Sequence, residues 1–291
     1  MATVRNWLGD AVRRVRDFAY RRPPEPRAVR PRVGLALGGG FARGIAHIGV
    51  LKVLEANRIP LDCIAGTSVG ALIAASYACG APLEELERQA SATRFSDFAK
   101  WTLSWLGLAS NERLETYLAR FCAVTHFEEL KIPLAIAATD LGSGEAVYFT
   151  SGEMGPPLRA SCAYPGLFLP VEHEGRILVD GFLAAPVPVE AVRQLGADLV
   201  VAVYLSSSPD DTKPKNMADV IGRSFSIMQR HAQQTWRRRA DVVIEPDVTP
   251  YLWDDFVRTP ELIFAGEAAA LAAVPRILAR LEPRPEFKMQ N

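Results

Sequence analysis

Cys63-Ile64-Ala65-Gly66-Thr67-Ser68-Val69-Gly70-Ala71-Leu72-Ile73-Ala74-Ala75 reads as a short buried strand, a small-residue turn and a helix start. Strand, tight turn and helix in that order belong to an α/β protein. Within it, Gly66-Thr67-Ser68-Val69-Gly70 has the G-x-S-x-G form of a nucleophile elbow. Small residues flanking Ser68 permit a sharp turn, and the strained turn holds the hydroxyl exposed. The helix N-terminus behind Ser68 favours developing negative charge. The bland alternative is a turn whose serine merely caps a helix, so the pentapeptide needs its neighbours to carry meaning.

On either side, short apolar runs alternate with helical patterns. Val33–Leu37, Pro133–Ala138, Leu199–Tyr204 and Val242–Ile244 are unbroken apolar runs like Cys63–Ala65. Unbroken runs mark strands buried on both faces, hence a mostly parallel sheet with helices on each side. Glu145–Phe149 and Arg176–Val179 read as further strands, and helices are predicted over 43–56, 69–79, 82–93, 111–121, 187–195, 216–238 and 260–281. The fold class is α/β, a three-layer α/β/α sandwich.

Upstream of the elbow, Gly38-Gly39-Gly40-Phe41-Ala42-Arg43-Gly44 follows the first strand and opens a helix. Such a loop aims backbone N–H groups at an anion. It lacks the G-x-G-x-x-G of a dinucleotide fold and the G-K-[ST] of a P-loop. An oxyanion hole needs only two well-aimed N–H groups beside a nucleophile. Downstream, Asp180-Gly181 follows the strand Arg176–Val179 and opens a Pro-rich loop. A carboxylate just past a strand end is placed to take the serine proton directly. His126, His173 and His231 each lack the late loop position and preceding acid of a triad.

These motifs, in this order and spacing, resemble the patatin-like phospholipase family in its bacterial form. Ala138–Leu141, Arg159–Cys162 through Gly166, Asp198–Val203, Asp241–Pro246 and Glu261–Glu267 are similar to stretches of that family as well. The resemblance covers residues 33–275. It implies Ser68 as nucleophile, Asp180 as its proton acceptor, no catalytic histidine, and oxyanion donors at Gly39, Gly40 and Phe41. Gly38, Arg43, Gly44, Gly66, Gly70 and Gly181 support the loops, and Arg43 holds its loop by hydrogen bonds in preference to meeting a head-group phosphate. Neither metal nor cofactor is implied. Phe41 stands where many members have Gly, and its N–H is expected to donate only if the position avoids φ > 0, which is costly for Phe. Asp180-Gly181-Phe182 and Ala185 also depart from the usual pattern.

The implied activity is a serine acyl hydrolase acting on lipid carboxylic esters. A general carboxylesterase, a thioesterase and a non-catalytic lipid-binding regulator on the same fold are the alternatives. Phe95, Phe98, Trp101, Trp105 and Leu106 form an aromatic cluster, expected as core rather than as an acyl-channel wall or a lid.

The 291 residues carry 33 basic and 33 acidic side chains, which excludes a nucleic-acid-coating chain. Residues 1–32 hold nine Arg against three acids, a net +6. Val4, Trp7, Leu8, Val12, Val15 and Phe18 recur at helical spacing, so residues 4–19 read as a basic amphipathic helix suited to docking on the domain or to an anionic membrane surface. A Pro-rich linker follows. The expected organisation is 1–32 as helix and linker, 33–281 as catalytic domain and 282–291 as tail. Secretory and twin-arginine signals are not read in the first residues. Cys63, Cys79, Cys122 and Cys162 lack metal or framework spacing and are expected as reduced thiols. The chain is expected in the cytoplasm, soluble or peripheral on the inner membrane face.

Overall fold

The strands are β1 Val33–Leu37, β2 Cys63–Thr67, β3 Lys100–Trp101, β4 Ala109–Ser110, β5 Leu134–Asp140, β6 Ala146–Phe149, β7 Val171–His173, β8 Arg176–Asp180, β9 Leu199–Val203 and β10 Val242–Ile244. The helices are α1 Ala46–Ala56, α2 Val69–Ala78, α3 Leu83–Ala92, α4 Arg113–Leu118, α5 Gly155–Ser161, α6 Val189–Gln194, α7 Met217–Arg237 and α8 Thr259–Leu281. The structure, a computed structural model, describes residues 30–102, 104–206, 213–252 and 254–282. The amphipathic segment 4–19 lies outside the described residues, as does all of the 282–291 tail except Glu282. By its contacts the chain divides into one unit of Pro31–Leu281, described below, and another of Met1–Arg30 with Glu282–Asn291.

β10, β9, β1, β2 and β5 pair in that order, all parallel. β8 continues the sheet antiparallel to β5 and β7 closes it, while β6 pairs antiparallel with Ile136–Thr139 of β5. Side chains alternate between two cores, as strand geometry requires. Val33, Leu35, Leu37, Ile64 and Ile136 face one core with α1, α2, α3 and α8. Ala36, Cys63, Ala65 and Ala135 face the other with α6 and Trp236 of α7. The second face is built from small residues, so α6 packs close. A Cβ on Gly34 would stand 2.6 Å from the Cβ of Ala197 and 2.8 Å from that of Val192.

Two expectations need correction. Cys79 and Cys122 are joined in a disulfide, with Cα atoms 5.4 Å apart; of the four cysteines, Cys63 and Cys162 are free. The bridge ties the end of α2 to the segment after α4, a proximity no spacing rule announces. The aromatic cluster is core only in part: Phe95 and Phe98 pack against the core, but a 3-10 turn, Phe95–Asp97, leads into the β3–β4 hairpin, with Trp101 and Leu106 67 % and 71 % exposed and Trp105 fully so. The sequence reading also omits α5, whose Pro156 and Pro157 sit in the first turn, where proline is tolerated.

One helical stretch among the described residues, Phe256–Leu281, is long and apolar enough to cross a membrane. It packs instead on α1. A Cβ on Gly266 would meet the Ala46 carbonyl at 1.9 Å, and one on Gly49 the Ile263 carbonyl at 2.0 Å, so the two helices touch backbone to backbone.

Candidate active site

Ser68 sits between β2 and α2 with φ 56° and ψ −127°, a left-handed conformation that L-residues resist. Neighbouring glycines make the turn feasible. A Cβ on Gly66 would meet the Ala71 nitrogen at 2.4 Å, and one on Gly70 the Leu37 carbonyl at 2.4 Å. The Ser68 N–H donates to Ser161 Oγ at 2.8 Å, and its carbonyl accepts from Ala71 N–H at 2.8 Å. With its backbone so held, Ser68 Oγ donates to Asp180 Oδ2 at 2.9 Å.

Asp180 ends β8 and is 1 % exposed. Burial pushes its carboxyl up to about 7, against the opposing pull of hydrogen bonds from the Phe182 N–H and the Ser68 hydroxyl. The Phe182 N–H reaches Asp180 Oδ1 at 2.9 Å. The loop beyond is pinned from two strands. Thr67 Oγ1 donates to the Ala185 carbonyl at 2.7 Å, and Thr139 Oγ1 donates to the Asp180 carbonyl at 2.9 Å. Gly181 lies under β5, where a Cβ would meet the Ala137 carbonyl at 2.3 Å.

The glycine loop lies against the elbow. A Cβ on Gly39 would stand 3.5 Å from that of Ser68, and one on Gly44 would overlap Val69 at 2.2 Å. Gly38 N–H donates to the Val203 carbonyl at 3.0 Å and Gly39 N–H to that of Pro186 at 3.2 Å. The Gly38 carbonyl accepts from His47 Nε2 at 2.8 Å. His47 is fully buried and held down to about 4 by burial, against the pull of the Gly38 carbonyl. It is therefore neutral near pH 7, with its proton on the Nε2 that faces the carbonyl. Phe41 takes φ 52°, so the condition set for its N–H to donate, a φ outside the positive region, is not met. Its ring packs edge-to-face on Tyr164 at 5.6 Å, and burial of this kind outweighs a backbone cost of about 1–2 kcal/mol. A left-handed φ reorients the N–H without removing it as a donor.

Arg43 Nε has no hydrogen-bond partner among the described residues, and burial lowers the pKa of this side chain while Tyr204 and Tyr164 oppose that shift. The other histidines lie elsewhere. His126 opens a 3-10 turn beside Glu129, His173 stacks by Phe149 on β7, and His231 is on the exposed side of α7. Among the described residues no cluster of His, Cys, Asp or Glu is suited to a metal ion.

Ser68 opens onto an apolar cavity with about 810 Å³ of empty space, its opening to solvent included. Val69, Leu72 and Ser76 of α2 form one wall; Leu86, Ala90, Leu114, Tyr117, Phe98, Phe168 and Phe256 form others. Cys162 borders it beside Ser68 and Asp180, and burial raises its thiol far above the range of a nucleophile near pH 7. Thr67, Thr139, Ser161 and His47 are the site residues that motif reading misses. Thr67 falls in the elbow itself, and Thr139 and Ser161 in stretches that carried the resemblance; His47 falls in none.

The family model for patatin-like phospholipases matches residues 35–193, spanning the glycine loop, the elbow and Asp180. The chain belongs to the patatin-like phospholipase family. An uncharacterized NTE family protein of Mycobacterium tuberculosis is 34 % identical over 225 residues, 69 % of this chain and 59 % of that protein. The lysophospholipase NTE1 of Mycosarcoma maydis is 31 % identical over 224 residues, 74 % of this chain and 12 % of that protein. This patatin-like chain thus spans under two thirds of these relatives' length. The crystal structure of VipD from Legionella pneumophila aligns with a TM-score of 0.48 at 14 % identity, covering 87 % of this chain and 67 % of that one.

Proposed function

We propose that this chain is a serine acyl hydrolase that cleaves carboxylic esters of lipids with Ser68 and Asp180. The observation that carries the reading is the 2.9 Å hydrogen bond from Ser68 Oγ to Asp180 Oδ2 on the wall of an apolar cavity. A base near pKa 7 is matched to proton transfer at neutral pH. Asp180 takes the proton as Oγ attacks the ester carbonyl. The tetrahedral intermediate collapses to an acyl-enzyme and the alcohol leaves with the proton. Water then attacks the acyl-enzyme and gives a proton to Asp180; the Oγ–acyl bond breaks, Asp180 returns that proton to Ser68 Oγ, and the acid leaves.

The oxyanion is assigned to the N–H groups of Gly40 and Phe41, where the family resemblance implies donors; the Gly39 N–H bonds the Pro186 carbonyl. Each such donor is worth about 3 kcal/mol in the transition state. The cavity takes the acyl chain. Arg43, part of the glycine loop and largely buried, is assigned to supporting that loop. Residues 33–281 form the catalytic domain, and residues 4–19 add attraction to anionic membrane at about 1 kcal/mol per basic residue near the surface. The chain is peripheral on a membrane, and the Cys79–Cys122 bridge favours an oxidising compartment over the expected cytoplasm.

The test is labelling with a fluorophosphonate together with hydrolysis of a p-nitrophenyl acetate ester. Native protein labels and turns over; Ser68→Ala does neither while keeping its Tm. Retained turnover in purified Ser68→Ala protein sinks the assignment.

A further inference from the structure

The β3–β4 hairpin puts apolar side chains in water beside the cavity. From Phe98 to Asn111 the only charged residue is Lys100. Trp105 is fully exposed, with Trp101 and Leu106 67 % and 71 % exposed. The hairpin backbone is tied down on both sides of them. Thr102 N–H donates to the Leu108 carbonyl at 3.0 Å, and the Leu108 and Ala109 N–H groups both donate to the Leu167 carbonyl at 2.9 Å. Phe168, next in the chain, lines the cavity. It stacks on Phe95 with ring centroids 6.0 Å apart, and Phe95 lies 5.9 Å from the Trp101 ring. On another wall, Phe98 meets Phe256 at 5.9 Å, and the following residue, Val257, is 88 % exposed.

Large apolar side chains held outward on a tied-down backbone mark an interaction surface. Three features select a lipid bilayer as the occupant. Tryptophan prefers the membrane–water interface. The stretch carries no carboxylate to repel lipid phosphates, and Lys100 is attracted to them. The surface continues through ring contacts into the wall of the cavity assigned to the acyl chain.

We propose that the β3–β4 hairpin inserts Trp105 and Leu106 into the interfacial layer of a phospholipid bilayer, bringing the Ser68 cavity to its substrate. The inference rests on the reading of that cavity as an acyl site, and its test separates the two. Binding is measured by sedimentation of full-length Ser68→Ala protein with phosphatidylcholine vesicles, where no hydrolysis intervenes. Adding Trp105→Ser and Leu106→Ser weakens binding by about ten-fold or more. In the Ser68 form, the same double change lowers turnover of vesicle-borne lipid by a similar factor and leaves p-nitrophenyl acetate turnover within two-fold. Unchanged vesicle binding by the double variant overturns the proposal. So does a double variant that binds vesicles normally but turns a native dimer into a monomer, which gives the surface to a second copy. Loss of binding only on deleting residues 1–30 also overturns it and gives the membrane contact to that segment. If native protein turns over no ester while the hairpin variant still loses vesicle binding, the hairpin assignment stands and the hydrolase reading falls.

Discussion

Around Ser68, side chains bond the backbone of neighbouring loops; around Trp105, they point into solvent. Thr67, Thr139, Ser161 and His47 each fix a peptide group near the dyad. The hairpin ties its backbone to Leu167 and leaves Trp101, Trp105 and Leu106 bare. The first region opens on the cavity at Ser68, and the hairpin reaches its wall through the ring contacts of Trp101, Phe95 and Phe168. The first is suited to holding a reacting atom in place, which needs strain held by many bonds. The second is suited to meeting a surface whose structure is fluid, which needs apolar area and few polar commitments.

The sharpest way to break the comparison is to neutralise Asp180. Asp180→Asn is expected to lower kcat/KM for a soluble ester by about 10³–10⁴-fold. In native protein, kcat/KM rises with pH through about 7 as Asp180 ionises, and no comparable loss follows Ala at His126, His173 or His231. Stability moves the other way. A carboxyl raised from 3.8 to about 7 binds its proton more tightly when folded, so its effect makes stability fall as pH climbs from about 4 to about 7. Asp180→Asn removes that loss and is expected to raise Tm by a few degrees at pH 8, with the gain vanishing below pH 4. A variant equally active, or destabilised at pH 8, contradicts the buried-base reading.

The next largest effect concerns the frame both regions share. The Cys79–Cys122 bridge closes a sequence separation of 43 residues, from the end of α2 to the segment after α4. Chain entropy assigns such a loop about 4 kcal/mol. Cys79→Ala with Cys122→Ala is expected to lower stability by that order in chemical denaturation. Titration of unfolded, unreduced protein is expected to find two thiols, those of Cys63 and Cys162. Four thiols restore the reduced-chain expectation.

Motifs made the pairing of Ser68 with Asp180 legible because elbow, glycine loop and Asp180-Gly181 each impose a local backbone shape that few residues satisfy. The sheet was legible for the same reason: Val33–Leu37 and Leu199–Val203 have no polar residue to offer a solvent face. What escaped the sequence was set by contacts distant in the chain. Thr67 and Ala185 meet across 118 residues, Ser68 and Ser161 across 93. The hairpin escaped because aromatic residues at helical spacing read as core. Nothing in Trp101 or Trp105 records that their neighbours turn away.

His47 tests whether the bonds around the dyad matter singly. Its Nε2 holds the Gly38 carbonyl, two residues before the proposed donor Gly40. It touches no reacting atom, so its part is positioning. His47→Ala is expected to lower kcat about 10–100-fold with little change in KM, the loss of one hydrogen bond to a loop needed in the transition state. Gln can present an N–H to the same carbonyl, so His47→Gln is expected to recover part of the loss. Equal losses in kcat with Ala and Gln, together with a fall in Tm, mark His47 as packing alone.

The smallest expected effect sharpens what lies between the two regions. Ser76 is on α2, eight residues beyond Ser68, and borders the cavity. At about 1.5 Å per residue that places it roughly 12 Å along the helix from Ser68. An acyl chain lying along α2 meets Ser76 only if it is long. Ser76→Leu adds bulk at that point without touching the dyad. The ratio of decanoate to acetate p-nitrophenyl ester turnover is expected to fall several-fold, with acetate turnover as the internal reference. Overpacking of a buried site costs about 1–3 kcal/mol, which a Tm measurement reports separately. A fall in both esters by the same factor points to a disturbed elbow. An unchanged ratio means the chain leaves α2 before Ser76, toward Phe98, Phe168 and the hairpin.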